Sequence, residues 1–196
     1  PFFKIMMTQS SHEPYDVPMK TAIPGEDDIH RFMNSAFYTD SCFGAFIDRA
    51  KRTTWWENTL IVVTADHGHI YPSNQGLTNP DRFRIPMLWL GGALSVRDTV
   101  IQTIAGHPDI PNTILGQLGM YEKEFVFSRD ILSASYNPWA VYVFNNGFGV
   151  VKPGDKLVVF DHVANHVVQE KGTPSEVDLE QGKEKIQKLY WDFNSR

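Results

Sequence analysis

The stretch from Asn58 to His69, NTLIVVTADHGH, constrains the chain more than any other. Leu60 to Val63 is an unbroken apolar run with β-branched residues, the pattern of a short strand buried on both faces of a sheet. An aspartate, a histidine and a glycine come soon after it, at the carboxyl end where open α/β sheets collect their ligands. Asp66 offers a hard oxygen and His67 a borderline nitrogen, a pair suited to Zn²⁺ or Mn²⁺, and Gly68 permits a sharp backbone turn beside an ion. The plainer alternative is that Asp66 caps the next turn and His67 is a satisfied loop histidine.

The flanking segments place this strand in an α/β fold. Phe2 to Thr8 reads as a strand that begins without polar slack, so the numbering is expected to start inside a larger fold. It runs into the polar loop Gln9 to Tyr15, where Pro14 disfavours helix at Glu13. His12 therefore lies just past a strand end, as His67 does; were the strands parallel neighbours, both imidazoles would share one rim of the sheet. A surface loop histidine is the alternative. Ile29, Phe32, Met33, Ala36, Phe37, Phe43, Ile47 and Ala50 recur at the spacing of one buried face of a long helix. Asp27 and Asp28 suit the start of its dipole, and Arg49, Lys51 and Arg52 its end. Asp40, on the apolar stripe, is expected to bond a neighbouring loop. Cys42 is expected to be a buried structural thiol.

The order strand, helix, strand predicts a right-handed β-α-β unit. Tyr71 to Arg82 is a loop long enough to shape a substrate pocket, and Arg84 to Leu90 a further strand. Arg82 and Arg84 are either anion contacts or solvated arginines. Residues 107–119 read as a short helix with Pro111 in its first turn and Gly119 as its stop. Short strands follow at 139–144, 149–151 and 157–161, with Asn145-Asn146-Gly147 as a turn. Glu176 to Phe193 reads as a closing helix anchored by Val177, Leu179, Ile186, Leu189 and Tyr190. The expected architecture is α/β, with a mainly parallel sheet flanked by helices and a small antiparallel substructure near the C-terminus. The division is residues 1–135, then residues 136–196 packed on the same domain.

Composition excludes other classes. With 42% hydrophobic and 21% charged residues the chain has the balance of a soluble globular protein. A net charge of −5, with no dense Lys/Arg cluster, argues against a nucleic-acid partner. No apolar run approaches the roughly 20 residues needed to span a bilayer. Cys42 is the only cysteine, so no intrachain disulfide forms.

Three segments, in this order, resemble the alkaline phosphatase superfamily in its sulfatase-like branch, which includes the lipoteichoic acid synthases and related phosphoglycerol transferases. They are Ser11-His12-Glu13-Pro14-Tyr15, Asn58 to Gly68 with its Thr-Ala-Asp-His-Gly core, and Asp109-Ile110-Pro111-Asn112-Thr113-Ile114-Leu115. Tyr38 to Ile47 resembles the family's helix before the metal strand, Arg84 to Leu90 the strand after it, and Ser128-Arg129-Asp130-Ile131-Leu132 a further family stretch. The resemblance implies metal-dependent transfer of a phosphoryl-type group through a covalent intermediate on a threonine, or on formylglycine in true sulfatases. In that scheme Asp66 and His67 bind a divalent ion, with Mn²⁺ first and Mg²⁺, Zn²⁺ or Ca²⁺ as alternatives. His12 is the catalytic residue that contacts the phosphate or donates a proton to the leaving oxygen. His69 is a substrate or metal contact there, and a solvent-facing histidine otherwise.

The chain departs from the family pattern in one respect. The family's nucleophile and another acidic ligand lie on segments before the point where this sequence begins, so the chain is read as the carboxyl-terminal part of a catalytic domain, inactive alone. Cys42-Phe43-Gly44 does not match the Cys/Ser-x-Pro-x-Arg pattern of a formylglycine site. The family further implies a phospholipid-derived or sulfated small-molecule or glycan substrate. It also implies a parent anchored by upstream membrane helices, placing this part outside the cytoplasmic membrane. A sulfuric ester hydrolase is the nearest alternative. A binding or structural module without turnover is the alternative of another class.

Overall fold

The computed structural model describes residues 1–120 and 122–196, which divide into two compact units. The first holds Pro1–Gly76 and Asp81–Thr99, the second Leu77–Pro80 and Val100–Arg196. This break at Thr99/Val100 falls well before the residue 135 boundary expected from the change in sequence texture.

In the first unit, helix α1 (Asp28–Ala50) forms where the apolar periodicity predicts it. Asp27 caps it, its carboxylate accepting from the His30 backbone N–H at 3.0 Å. The buried Asn34 uses its whole amide. Its oxygen accepts from Ala22 N and Ile23 N, and its nitrogen donates to Ile23 O and His30 O, all within 2.9 Å. The loop before the helix is thereby stitched to it. Much of the apolar stripe stays accessible, including Met33, Ala36 and Phe37. Asp40 and Cys42 are exposed as well, against expectation, on the open side of α1.

Strands β1 (Ile61–Thr64) and β2 (Met87–Leu90) appear where the apolar runs place them, but they pair antiparallel, with Ile61 opposite Leu90 and Thr64 opposite Met87. No parallel pair occurs among the described strands. The expected first strand is corrected too. Residues 2–8 carry no ladder, and their apolar side chains lie open, Phe3 at 84% exposure. A strand needs a neighbour to satisfy its backbone, and none of the described strands pairs with this segment. The α/β class holds, while the parallel β-α-β crossover does not form from these elements.

The second unit opens with a 3₁₀ turn (His107–Asp109) leading into α2 (Ile110–Gln117). Gly119, at φ 66°, ends α2. Met120 N donates to Leu115 O and Gly119 N to Gly116 O, the paired bonds of a left-handed helix stop. Asp109 is buried at 2% exposure and accepts from the Arg129 backbone and guanidinium, the Tyr136 hydroxyl and Gly106 N. Arg129 also lies over the Tyr136 and Trp139 rings. An ion pair so fully bonded ties α2 to the chain that leads into the sheet.

That sheet is β3 (Ala140–Phe144), β4 (Gly147–Lys152), β5 (Lys156–Asp161) and β6 (His166–Lys171), antiparallel and in sequence order. Phe144 pairs with Gly147, so Asn145-Asn146 form a two-residue turn, as the composition predicts. β6 was not foreseen, although Val167-Val168 between Asn165 and Gly172 carry a strand signal. Alternate residues Val141, Phe148, Val150, Val158, Phe160 and Val167 form one apolar face, on which α3 (Glu176–Ser195) lays Leu179, Ile186 and Leu189. Val177 and Tyr190, expected as anchors, are exposed.

Two residues of α3 carry separate predictions. Gly182 faces Phe148 and Val150, and a Cβ there would overlap both side chains. Gly182→Val is therefore expected to lower stability by roughly 1–3 kcal/mol in chemical denaturation, through overpacking. Asp178 accepts from Lys152 Nζ and from the backbone and hydroxyl of the N-cap Ser175. The Lys152 ammonium first, then the Ser175 donors, pull its carboxyl down to about 2. A folded value below the unfolded one stabilises the protein above the unfolded pKa near 4 and is lost as pH falls toward 2. Asp178→Asn is expected to cost roughly 2 kcal/mol at pH 7, with the gap to wild type closing between pH 4 and pH 2 in denaturant titrations.

Candidate functional site

β1 ends at Thr64, whose hydroxyl donates to Pro86 O at 3.1 Å and holds the strand end to the segment entering β2. Asp66 and His67 follow immediately and face solvent. Asp66 Oδ1 accepts from the His67 backbone N–H at 2.9 Å, and His67 Nδ1 bonds Gly68 O at 2.9 Å. A carbonyl can only accept, so Nδ1 carries the proton and Nε2 keeps its lone pair. The atoms left free by these local bonds, Asp66 Oδ2 and His67 Nε2, stand 3.6 Å apart. Two donors bound at about 2.1 Å to one tetrahedral ion stand about 3.4 Å apart, so this separation suits a shared cation.

The pair fits a divalent ion as part of a ligand set. Among the described residues no group of three or more His, Cys, Asp or Glu side chains is placed to hold a metal. Asp66 and His67 would thus supply two of the ligands that such a site needs.

Gly68 is required here for a reason other than the expected turn. Its missing Cβ leaves room for the backbone carbonyl of Arg82, which a side chain at Gly68 would overlap. The close approach brings the residues before β2 onto the loop that carries Asp66 and His67. A cleft of about 290 Å³ opens beside it, lined among others by His67, His69, Tyr71, Arg82 and Arg84. Arg82 also donates to Gln75 O at 3.1 Å, which shapes the loop between the strands.

His69 is neither solvent-facing nor free. Its ring stacks on Phe32 of α1 at 4.3 Å and 11°. Its Nδ1 accepts from Tyr71 N at 3.0 Å, and its Nε2 lies 3.2 Å from the Tyr15 hydroxyl. Burial, above all, lowers its pKa and so favours the neutral ring. Both nitrogens are thus engaged inside the protein, and a direct contact with metal or substrate would have to break one of these bonds.

His12 lies on the exposed loop before Tyr15 and bonds locally. Its Nδ1 meets Glu13 O at 3.0 Å, and its own carbonyl accepts from Tyr15 N at 2.9 Å. The structure thus brings Asp66 to His67, and Glu13 and Tyr15 to His69. Among the described residues, no hydrogen bond joins His12 to Asp66 or His67. Tyr15 is the residue sequence reasoning missed: at 4% exposure it is buried, and burial, then its bond to Glu13, pushes its hydroxyl up to about 12. The one available signal was its place at the end of the Ser11 to Tyr15 motif.

The chain is similar to several known proteins. The family model described as Sulfatase matches residues 1–120. The lipoteichoic acid synthase-like YvgJ of Bacillus subtilis is 25% identical over 161 residues, covering 72% of this chain and 26% of that protein. The lipoteichoic acid synthase of Staphylococcus saprophyticus is 24% identical over 205 residues, 96% of this chain and 31% of that one. The crystal structure of an alkaline phosphatase superfamily protein from Vibrio parahaemolyticus superposes with a TM-score of 0.69 at 26% identity, over 90% of this chain and 45% of that one. Lipoteichoic acid synthase LtaP from Listeria monocytogenes gives the same score at 21% identity, over 94% and 52%, and supports the fold. The chain spans about a quarter to a third of the length of these curated relatives. On its sequence and its fold, the chain belongs to the sulfatase family, in the lipoteichoic acid synthase-like branch of the alkaline phosphatase superfamily.

Proposed function

We propose that this chain contributes to a metal-dependent phosphoglycerol or phosphoethanolamine transferase that works on the extracytoplasmic side of a membrane, on a phospholipid-derived substrate. The observation that carries the reading is the convergence of Asp66 Oδ2 and His67 Nε2 at 3.6 Å beyond β1, in a chain of this family. A divalent ion, Mn²⁺ first, supplies positive charge that makes a bound hydroxyl more acidic and offsets oxyanion charge. Asp66 holds its Oδ1 on its neighbour's N–H and presents Oδ2; His67 fixes its own tautomer through Gly68 O and presents Nε2. His12, with Nδ1 bonded to Glu13 O, presents Nε2 for proton exchange with the leaving oxygen. Among the described residues no helix is long and apolar enough to cross a membrane. Anchoring is proposed for the parent protein on the family resemblance.

The discriminating assay offers a catalytically competent form of the protein a phosphatidylglycerol analogue and an aryl sulfate, each with Mn²⁺. Release of the phosphoglycerol group with no sulfate release is the expected result. The opposite preference would assign a sulfuric ester hydrolase. The 196-residue chain alone, with two ligands in place, is expected to turn over neither substrate.

A further inference from the structure

The loop carrying His12 and the loop carrying Asp66 and His67 are joined by a bridge through Tyr15 and His69, and its proton positions follow from the geometry. Tyr71 N–H points at His69 Nδ1, at 3.0 Å, so Nδ1 is the acceptor. A neutral imidazole then bears its proton on Nε2, which donates to the Tyr15 oxygen at 3.2 Å. The Tyr15 hydroxyl proton goes to Glu13 Oε1 at 3.1 Å. Every donor meets one acceptor. Tyr15 is buried edge-on against Phe32 and His69, and its backbone adopts φ 63°, a left-handed conformation that a bulky residue holds only where its surroundings enforce it. Tyr15 N donates to His12 O, so fixing Tyr15 fixes the turn that presents His12.

We propose that Tyr15 is a positioning residue, which sets the His12 imidazole relative to the Asp66–His67 pair by bridging Glu13 to His69. His69 is its counterpart on the other loop and acts through Tyr15, without touching substrate. The proposal rests on the roles assigned above to His12, Asp66 and His67.

The test uses the 196-residue chain with ¹⁵N-labelled histidine, alone and with Mn²⁺. Long-range proton–nitrogen spectra read each ring's tautomer, and Mn²⁺ broadens rings in proportion to their closeness to the ion. The wild type is expected to show His69 protonated on Nε2, and Mn²⁺ to broaden His67 and His12 together. Tyr15→Phe keeps the ring and deletes only the bridging oxygen. It is expected to leave the His67 broadening unchanged and to reduce that of His12 several-fold. Glu13→Gln, which retains an acceptor oxygen, is expected to behave as wild type, and Glu13→Ala as Tyr15→Phe. Unchanged His12 broadening in Tyr15→Phe overturns the proposal, as does a wild-type His69 protonated on Nδ1. Should Mn²⁺ broaden neither ring in the wild type, the metal reading fails. The bridge is then decided by the His69 tautomer and by whether the His12 signals shift in Tyr15→Phe.

Discussion

In a catalytically competent form of the protein, Asp66→Ala and His67→Ala are each expected to abolish turnover, whereas His12→Ala slows it by roughly 10²–10⁴-fold, the worth of one positioned acid or base. The difference comes from what each residue holds. Asp66 Oδ2 and His67 Nε2 are the free atoms of a pair otherwise bonded to its own loop, and no described side chain stands beside them to replace either. An ion that needs three or more protein ligands cannot lose one and keep its place at ordinary concentrations. In the proposed function His12 exchanges a proton, which water does less well but still does. Single-turnover rates with a phosphatidylglycerol analogue decide it. Near-wild-type rates in His67→Ala would show that the ion is held elsewhere.

The second large effect is expected at Gly68. In Gly68→Val the new side chain meets the Arg82 carbonyl oxygen, a backbone atom that no rotamer change can move aside. Either the ligand loop or the segment before β2 must shift. The cost is expected at roughly 1–3 kcal/mol of stability, with Mn²⁺ affinity falling at least tenfold as Asp66 and His67 separate. Gly76, whose Cβ position faces open space, provides the control. Gly76→Ala is expected to change neither stability nor affinity measurably. Equal losses in the two variants would show that Gly68 matters only for backbone freedom.

These contrasts mark where sequence reading works on this chain. Helices α1, α2 and α3 and the Asn145-Asn146 turn were legible because their signals are local: apolar spacing, acidic residues at the start of α1, a Gly119 stop. The Asp66–His67 pair was legible for the same reason, being two adjacent residues after an apolar run. Strand direction was not. The runs at 61–64 and 87–90 look alike whether they pair parallel or antiparallel, and the long loop between them permits either. The Phe2 to Thr8 run has strand composition, yet pairing needs a partner that composition cannot name. Asn34, Tyr15 and His69 were misjudged or missed because their partners lie 11 to 54 residues away or on another element. Gly68 was singled out for a turn, whereas its use is the close passage of Arg82.

The central claim is that Asp66 and His67 form one half of a cation site. Titrating the 196-residue chain with Mn²⁺ and following the free ion by electron paramagnetic resonance tests it most directly. The account predicts one weak site per chain, lost in Asp66→Ala and in His67→Ala and retained in His69→Gln. Binding that survives in both of the first two variants, or that disappears only in the third, would contradict it.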